Sequence, residues 1–581
     1  MSSKLTSVEQ KKISELFGAK DALFLIPDYQ RPYAWNEDEC STLWDDICSF
    51  ALPDSEFNSD EEEYFLGPVV LFSNDDKKLE VIDGQQRIIT ILLILRAFYE
   101  AMKNFSDNWS KHDVRKNIGR CIWKTNEQGE PNFSELKIDS QVATDNDRQE
   151  LIDILTSGTT NPRHKSRYAQ NYRLFQENIS AFFSNDDISD PQVQNQCSRL
   201  PNRILNNCIL LPIQAASQDA ALRIFSTLND RGKPLSDSDI FKVQLYKAFS
   251  AEGERDTFIA QWKELEELCG QIFSSLKISN PMDELFNRYM YYERAKGLVK
   301  DTTLEGLRSF YEKDHYRLLR LEHRRVFENL AALAKFWSSV NNQDEERFSE
   351  RVLKRLFVLN YAPNSAWTLI TSVYFMHNRK PDGTLDDEKF YSFLGKITAF
   401  IWGAVILGAS VNHLRTPLYK EMVNIVLGKD TAFDAHKFDV DELKRHIMRY
   451  KFTGRTKITR SMLAWWVMHD KAQIMLELTT VFETEHISKK GKTVNPATYE
   501  MLGNKSLLEG KIKNSVSNLD FPYKKSYYRG IVSVRKAGTK IHELQELAAT
   551  KNSFNVKDIS QRNKRIIEEF IHFVQDNGLA K

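Results

Sequence analysis

Cysteine is scarce in this 581-residue sequence: Cys40, Cys48, Cys121, Cys197, Cys208 and Cys269 are all there is, and no two of them form a CxxC pair. That excludes a zinc ribbon and gives no sign of a disulfide framework, which fits a reducing cytoplasm. Net charge is missing as well. Eighty Lys and Arg balance eighty Asp and Glu, so the total does not describe a simple nucleic-acid coat. There is no run of membrane length: the longest uncharged stretch, Ile397 to Leu414, holds Gly403, Gly408, Ser410 and Asn412. It falls short of the roughly 20 apolar residues of a span and reads as a buried helix. The opening MSSKLTSVEQKK lacks the apolar core of a signal peptide. No GxxxxGK[ST] loop occurs, which excludes P-loop chemistry. No internal repeat is evident.

What is present suffices for real cores. Hydrophobic residues make up 41% and charged residues 28%, and the length suggests roughly three or four domains. Charge is unevenly distributed. Residues 36–63 hold eleven Asp and Glu and no Lys or Arg, whereas residues 481–540 hold twelve Lys and Arg against five acids. The acidic run reads as solvated surface; the basic one is equally a solvated face or a phosphate-neutralising surface.

Along the chain, YFLGPVVLF (64–72) and LEVID (79–83) read as strands separated by a polar turn. After Gly84 the apolar positions Ile88, Ile89, Leu92, Leu93, Leu95 and Ala97 take a helical period with a broad buried face. Residues 101–220 look helical with polar connections, Thr156 to Ser166 being the clearest loop. Further helices are predicted over Arg255 to Cys269, Met282 to Lys296, Leu304 to Ala334 and Glu346 to Val358, which makes 251–440 a helical connector. The segment from 441 mixes helix with extended pieces around Val481 to Ile487 and closes in a helix over Ser560 to Val574.

Three patterns in the first half can carry chemistry. Asp83-Gly84-Gln85-Gln86-Arg87 is a strand that stops at an acid, turns on glycine and opens a helix. Backbone N–H groups at that helix start and the Arg87 guanidinium could hold a phosphate. On spacing alone, the same residues read as an Asp N-cap with a polar first turn. Ile26-Pro27-Asp28-Tyr29-Gln30-Arg31-Pro32-Tyr33-Ala34-Trp35 is a stiff, aromatic segment that is either a packed arm or a surface for stacking on bases. Phe225 to Ser236, containing Asn229, Asp230 and Arg231, reads as a tight turn; Ser236 and Asp239 then stand in capping-box spacing.

Taken in order, IPDYQRPYAW, YFLGPVVLF, VIDGQQR and FSTLNDRGKPLSDSDIFK resemble the N-terminal domain of GmrSD-type modification-dependent restriction enzymes, a domain of the ParB-like superfamily. The resemblance implies that Asp83, Gly84, Gln85, Gln86 and Arg87 line a nucleoside-triphosphate site, joined by Asn229 and Arg231, and that hydrolysis depends on it. It places Tyr29, Gln30 and Arg31 at the rim that senses DNA or its modification. Mg2+ or another divalent cation would accompany the triphosphate, which could be GTP, ATP, CTP or UTP.

The C-terminal part carries a second constellation. Glu485-His486-Ile487 follows a β-rich run, Gly503-Asn504-Lys505-Ser506-Leu507-Leu508 comes later, and Asn514 lies beyond it. EHI alone is commonplace. With GNKSLL and KIKNSVSNLDFPYKK following in order, residues 441–581 resemble the HNH nuclease domain of GmrD-type enzymes. That resemblance implies His486 as general base, Asn504 as its orienting partner, Glu485 and Asn514 as metal ligands, and Lys524, Lys525 and Arg529 as contacts to DNA. Two departures stand out: Ser488-Lys489-Lys490-Gly491 replaces the proline usual after the histidine, and Asn514 is displaced by one position, so Lys513 or Asn518 could occupy the ligand's place.

The expected architecture is therefore a mostly α, α+β multidomain protein: a ParB-like α/β domain over 1–250, a helical connector over 251–440 and a ββα-metal (HNH) nuclease domain over 441–581. The expected activity is nucleotide-dependent, modification-dependent endonucleolytic hydrolysis of double-stranded phage DNA in antiviral defence. A homo-oligomer is compatible with this reading and a membrane has no part in it. The rival is a nucleotide-switched DNA sensor or clamp with a degenerate HNH domain; a protein-interaction scaffold built on the helical middle is a third reading.

Overall fold

The computed structural model describes residues 5–51, 62–74, 76–104, 109–142, 145–161, 163, 165–183, 191–218, 220–221, 224, 236–274, 280–299, 306–311, 318–319, 322–454, 456–490, 495–531 and 538–581. The chain forms two compact units, Met1–Lys263 and Glu264–Lys581, and the boundary falls inside the helix Arg255–Ile272.

The first unit is built on a seven-stranded mixed sheet of β1 (Leu5–Val8), β2 (Lys11–Lys12), β3 (Phe24–Ile26), β4 (Tyr64–Ser73), β5 (Leu79–Asp83), β8 (Ile138–Ser140) and β9 (Cys208–Ala215). The strand order is β1-β9-β4-β5-β3-β8, with β2 also on β9; β6 (Trp123–Thr125) and β7 (Pro131–Leu136) pair separately. Strands β5 and β8 both run parallel to β3. Their carboxyl ends therefore share one side of the sheet, where open α/β sheets generally bind ligands.

The two strands predicted around residues 64–83 are present as β4 and β5. Strands β6, β7, β8 and β9 instead interrupt the stretch read as helical. In β9, CILLPIQA is a short apolar run, and its Pro212 has no backbone donor for a ladder. Strand β4 lies between β5 and β9 and contains Pro68, which has no ladder donor. A bulge accommodates it: pairing with β9 shifts between Phe65 and Gly67, and Gly67 has φ +115°. The helix α3 (Gln85–Ala101) is buried from Ile88 to Phe98 and packs against the helix Arg167–Phe183. Trp44 joins them, 6.0 Å between ring centres from both Phe98 and Phe175.

The second unit is helical apart from a small antiparallel pair, β10 (Phe482–His486) with β11 (Lys505–Glu509). The predicted helices appear as Arg255–Ile272, Pro281–Lys296 and Glu350–Asn360, and the closing one as Val556–Asp576. The single helix expected over 304–334 is not continuous: the helix His323–Asn341 begins after Glu322, whose backbone is non-helical. The run 397–414 is likewise two helices. Asp387–Ile406 ends before Gly408, whose φ of +93° turns the chain into Val411–Val426. Packing crosses residue 440 without a break, because the helix Lys457–His469 contacts both Glu350–Asn360 and β11. Among the described residues no helix is long and apolar enough to cross a membrane.

Candidate functional site

In the first unit the sequence patterns meet at the carboxyl ends of β3 and β5. Asp28 to Arg31 follow β3, and Asp83 ends β5 ahead of α3. Gly84 holds φ +90°, and a Cβ there would lie 2.5 Å from Val69 Cγ1, so no other residue can make this turn without displacement. Asp83 Oδ1 accepts the Gly84 N–H at 2.8 Å, while first-turn N–H groups of α3 have no partner within the helix. Burial raises the Asp83 carboxyl above its ordinary pKa against the opposing pull of Gly84, Arg87 and Arg31. Burial also lowers Arg87.

Arg87 lies flat over the β4 bulge. Its Nη1 donates to Pro68 O at 2.9 Å, and a Cβ on Gly67 would stand 3.1 Å from its Cζ. Gly67 and Pro68 thus position the guanidinium, a role that sequence reasoning missed although a Gly-Pro pair inside an apolar strand signals a bulge. Asp83, Gly84 and Arg87 form a compact group with an acid, a helix start and a cation. A magnesium ion carried by a triphosphate takes one or two carboxylates from its protein, and Asp83 is a fitting donor.

The other residues assigned to this pocket do different work. Gln85 Nε2 donates to Arg31 O at 2.9 Å, and Gln86 Oε1 accepts the N–H groups of Ala34 at 2.6 Å and Trp35 at 3.1 Å. Both side chains are buried, so they clamp the 31–35 segment rather than face a ligand. Tyr29 and Gln30, expected at a DNA-reading rim, are buried too. The Tyr29 hydroxyl accepts from Gln218 Nε2 at 3.2 Å, its ring packs on Tyr246 at 5.0 Å, and Gln30 Nε2 donates to Ile82 O at 3.0 Å. Arg31 is half-buried and acts electrostatically on Asp83. Asp28 takes an ion pair from Arg255, with Nε at 3.1 Å from Oδ2. Asn229 and Arg231 lie outside the described residues.

In the second unit, β10 ends at His486, which is directly across from Lys505 at the start of β11; the helix Gly510–Val516 follows. The His486 ring stacks on Tyr499, 4.0 Å between centres and 10° from parallel, and its Nε2 is buried without a partner. Burial, then the charges of Lys505, Lys524 and Lys513, opposed by Glu500, bring its pKa down to about 4, so the imidazole is neutral at neutral pH.

Asn504 is wholly buried, but its amide does not bond the imidazole. Oδ1 accepts from Ser488 N at 2.8 Å, and Nδ2 donates to Ser488 O at 3.1 Å and Tyr499 O at 3.2 Å. It fixes the chain on either side of His486 and hence the ring only indirectly. The closing helix holds Asn504 in turn: Arg562 Nη1 donates to the carbonyls of Leu502, Gly503 and Lys505, and a Cβ on Gly503 would lie 2.1 Å from Ile559 O. Arg562 and Ser488 were not legible as part of this site, since only the fold brings them to it.

The expected metal ligands do not fit a divalent ion. Glu485 and Lys524 form a buried ion pair, Nζ to Oε1 at 2.5 Å, and Lys524 also donates to His486 O at 2.6 Å. Lys524, read as a DNA contact, is wholly enclosed and serves this pair instead. Asn514 is exposed on its helix, whereas its neighbour Lys513 pairs with Glu483. Among the described residues no group of three or more His, Cys, Asp and Glu could hold a metal. Lys525 is half-buried beside Asn552, and Arg529 is exposed.

Residues 13–246 match the family model described as GmrSD restriction endonuclease, N-terminal domain. No curated protein matches the chain.

Proposed function

We propose that this chain is a nucleotide-dependent, modification-dependent restriction endonuclease, a reading supported by the match of residues 13–246 to the N-terminal domain of GmrSD restriction endonucleases. Its first unit binds and hydrolyses a nucleoside triphosphate and senses modified DNA; its second unit cuts. The phosphate-binding groups are Asp83, Gly84, Arg87 and the first turn of α3. The observation that carries the cutting role is His486: a neutral imidazole with an unpartnered Nε2 at the end of β10.

In this reading Nε2 takes a proton from water as the water oxygen attacks phosphorus and one P–O bond to a sugar breaks. Because Nε2 is buried, the groups that cover it have to move when DNA arrives. Asn504 keeps the histidine backbone in place meanwhile. Incubating modified and unmodified phage DNA with the full chain and each triphosphate in turn tests the reading: cutting restricted to modified DNA and absent from His486→Ala supports it, and equal cutting by that variant refutes it.

A second reading is favoured by the lysines paired with Glu485 and Glu483. In it the ββα unit only grips DNA, and the protein is a nucleotide-switched sensor. It predicts triphosphate-dependent retention of modified DNA with no nicked product.

A further inference from the structure

Phosphodiester chemistry needs positive charge near the phosphate, which nucleases commonly take from a divalent ion. Around His486 the carboxylates that would hold such an ion are already paired with ammonium groups of the chain. The acid preceding the histidine, Glu485, is 5% exposed and holds the wholly buried Lys524, which the His486 carbonyl also holds. Glu483, on the same face of β10, pairs with Lys513 from the following helix. Across from His486, Lys505 is wholly buried and bonds Glu500 Oε2 at 2.5 Å, Glu500 O at 2.9 Å and Phe452 O.

Three carboxylates thus meet three ammonium groups with none left over. A dication at Glu485 would lie beside the enclosed Lys524 ammonium, with like charges repelling in a poorly screened place. Asn514, the other expected ligand, is exposed on its helix.

We propose that the carboxylates around His486 take their countercharge from Lys505, Lys513 and Lys524 and that the centre holds no divalent cation. The nuclease reading supplies only the choice of centre; the charge pairing stands whether or not DNA is cut. Magnesium needed by the first unit for a triphosphate is a separate matter.

The test is a Mn2+ titration of the full chain without nucleotide, followed by the electron paramagnetic resonance signal of free Mn2+. Wild type, His486→Ala and the paired neutral variant Glu485→Gln with Lys524→Met are compared, with thermal unfolding confirming that each is folded. No bound Mn2+ in wild type supports the proposal. So does Mn2+ that both variants retain, since that ion lies elsewhere. One Mn2+ per chain in wild type, lost in folded His486→Ala, overturns it. A parallel plasmid-nicking assay separates the two claims: wild type that binds no Mn2+ and never nicks counts against the nuclease reading alone, while nicking abolished by chelator in the absence of nucleotide counts against the proposal.

Discussion

Gln86 Oε1 receives two backbone N–H groups, from Ala34 at 2.6 Å and from Trp35 at 3.1 Å. The second glutamine of the Asp83 to Arg87 motif is thus the anchor of the aromatic segment that precedes α2 (Glu37–Ala51). Replacing it with alanine strands two donors in a half-buried place, which costs about 1–3 kcal/mol per unsatisfied group. Gln86→Ala should lower the unfolding midpoint by several degrees in a thermal scan. An unchanged midpoint would mean that the segment is held by other contacts.

Arg87→Ala should act differently. It removes one hydrogen bond, to Pro68 O, worth about 1 kcal/mol, but takes away the pocket's cation. Triphosphate hydrolysis should fall at least tenfold while the fold survives. Hydrolysis and thermal stability measured on one preparation decide it, and a folded variant hydrolysing at the wild-type rate removes Arg87 from the nucleotide site.

How much of this was legible depends on how local the signal was. The β5–turn–α3 junction could be read because Gly84 and the change of hydrophobic period are neighbours in sequence. Strand β9 could not: its partners β1, β2 and β4 are distant, and Pro212 obscured a strand that only tertiary pairing explains. The sites divide in the same way. Asp83 ends β5, Arg87 lies in the first turn of α3 and His486 ends β10, the local positions the patterns suggested, whereas Gln85, Gln86, Tyr29, Gln30 and Lys524 are turned inward to protein partners. Sequence names the donor and acceptor types; the direction in which each side chain points is decided by packing.

The neutral His486 makes stability depend on pH. The folded state protonates it at about 4 and the unfolded chain near 6.5, so between these values the unfolded state binds more protons. Its contribution is fully present above pH 6.5 and is lost as pH falls toward 4. Unfolding midpoints of wild type and His486→Gln across that window should converge or cross as the pH drops; parallel curves would show that the imidazole is no better shielded than in the unfolded chain.

Lys524→Met should be among the most damaging single substitutions in the second unit. It leaves Glu485 enclosed without its partner, and breaking a buried pair from one side costs about 3–5 kcal/mol. Chemical denaturation of the second-unit transition should show a loss of that size. A loss under about 1 kcal/mol would match an exposed pair instead and contradict the burial described above.

The central claim is that a nucleotide-sensing first unit directs cutting by a centre built on His486. The most direct measurement is the rate of cutting modified phage DNA in the presence of each triphosphate by wild type, Arg87→Ala and His486→Ala. The account predicts cutting by wild type, a marked fall with Arg87→Ala, and a loss of about a hundredfold or more with His486→Ala while that variant still hydrolyses the triphosphate. Wild-type cutting rates in a folded His486→Ala protein would contradict it.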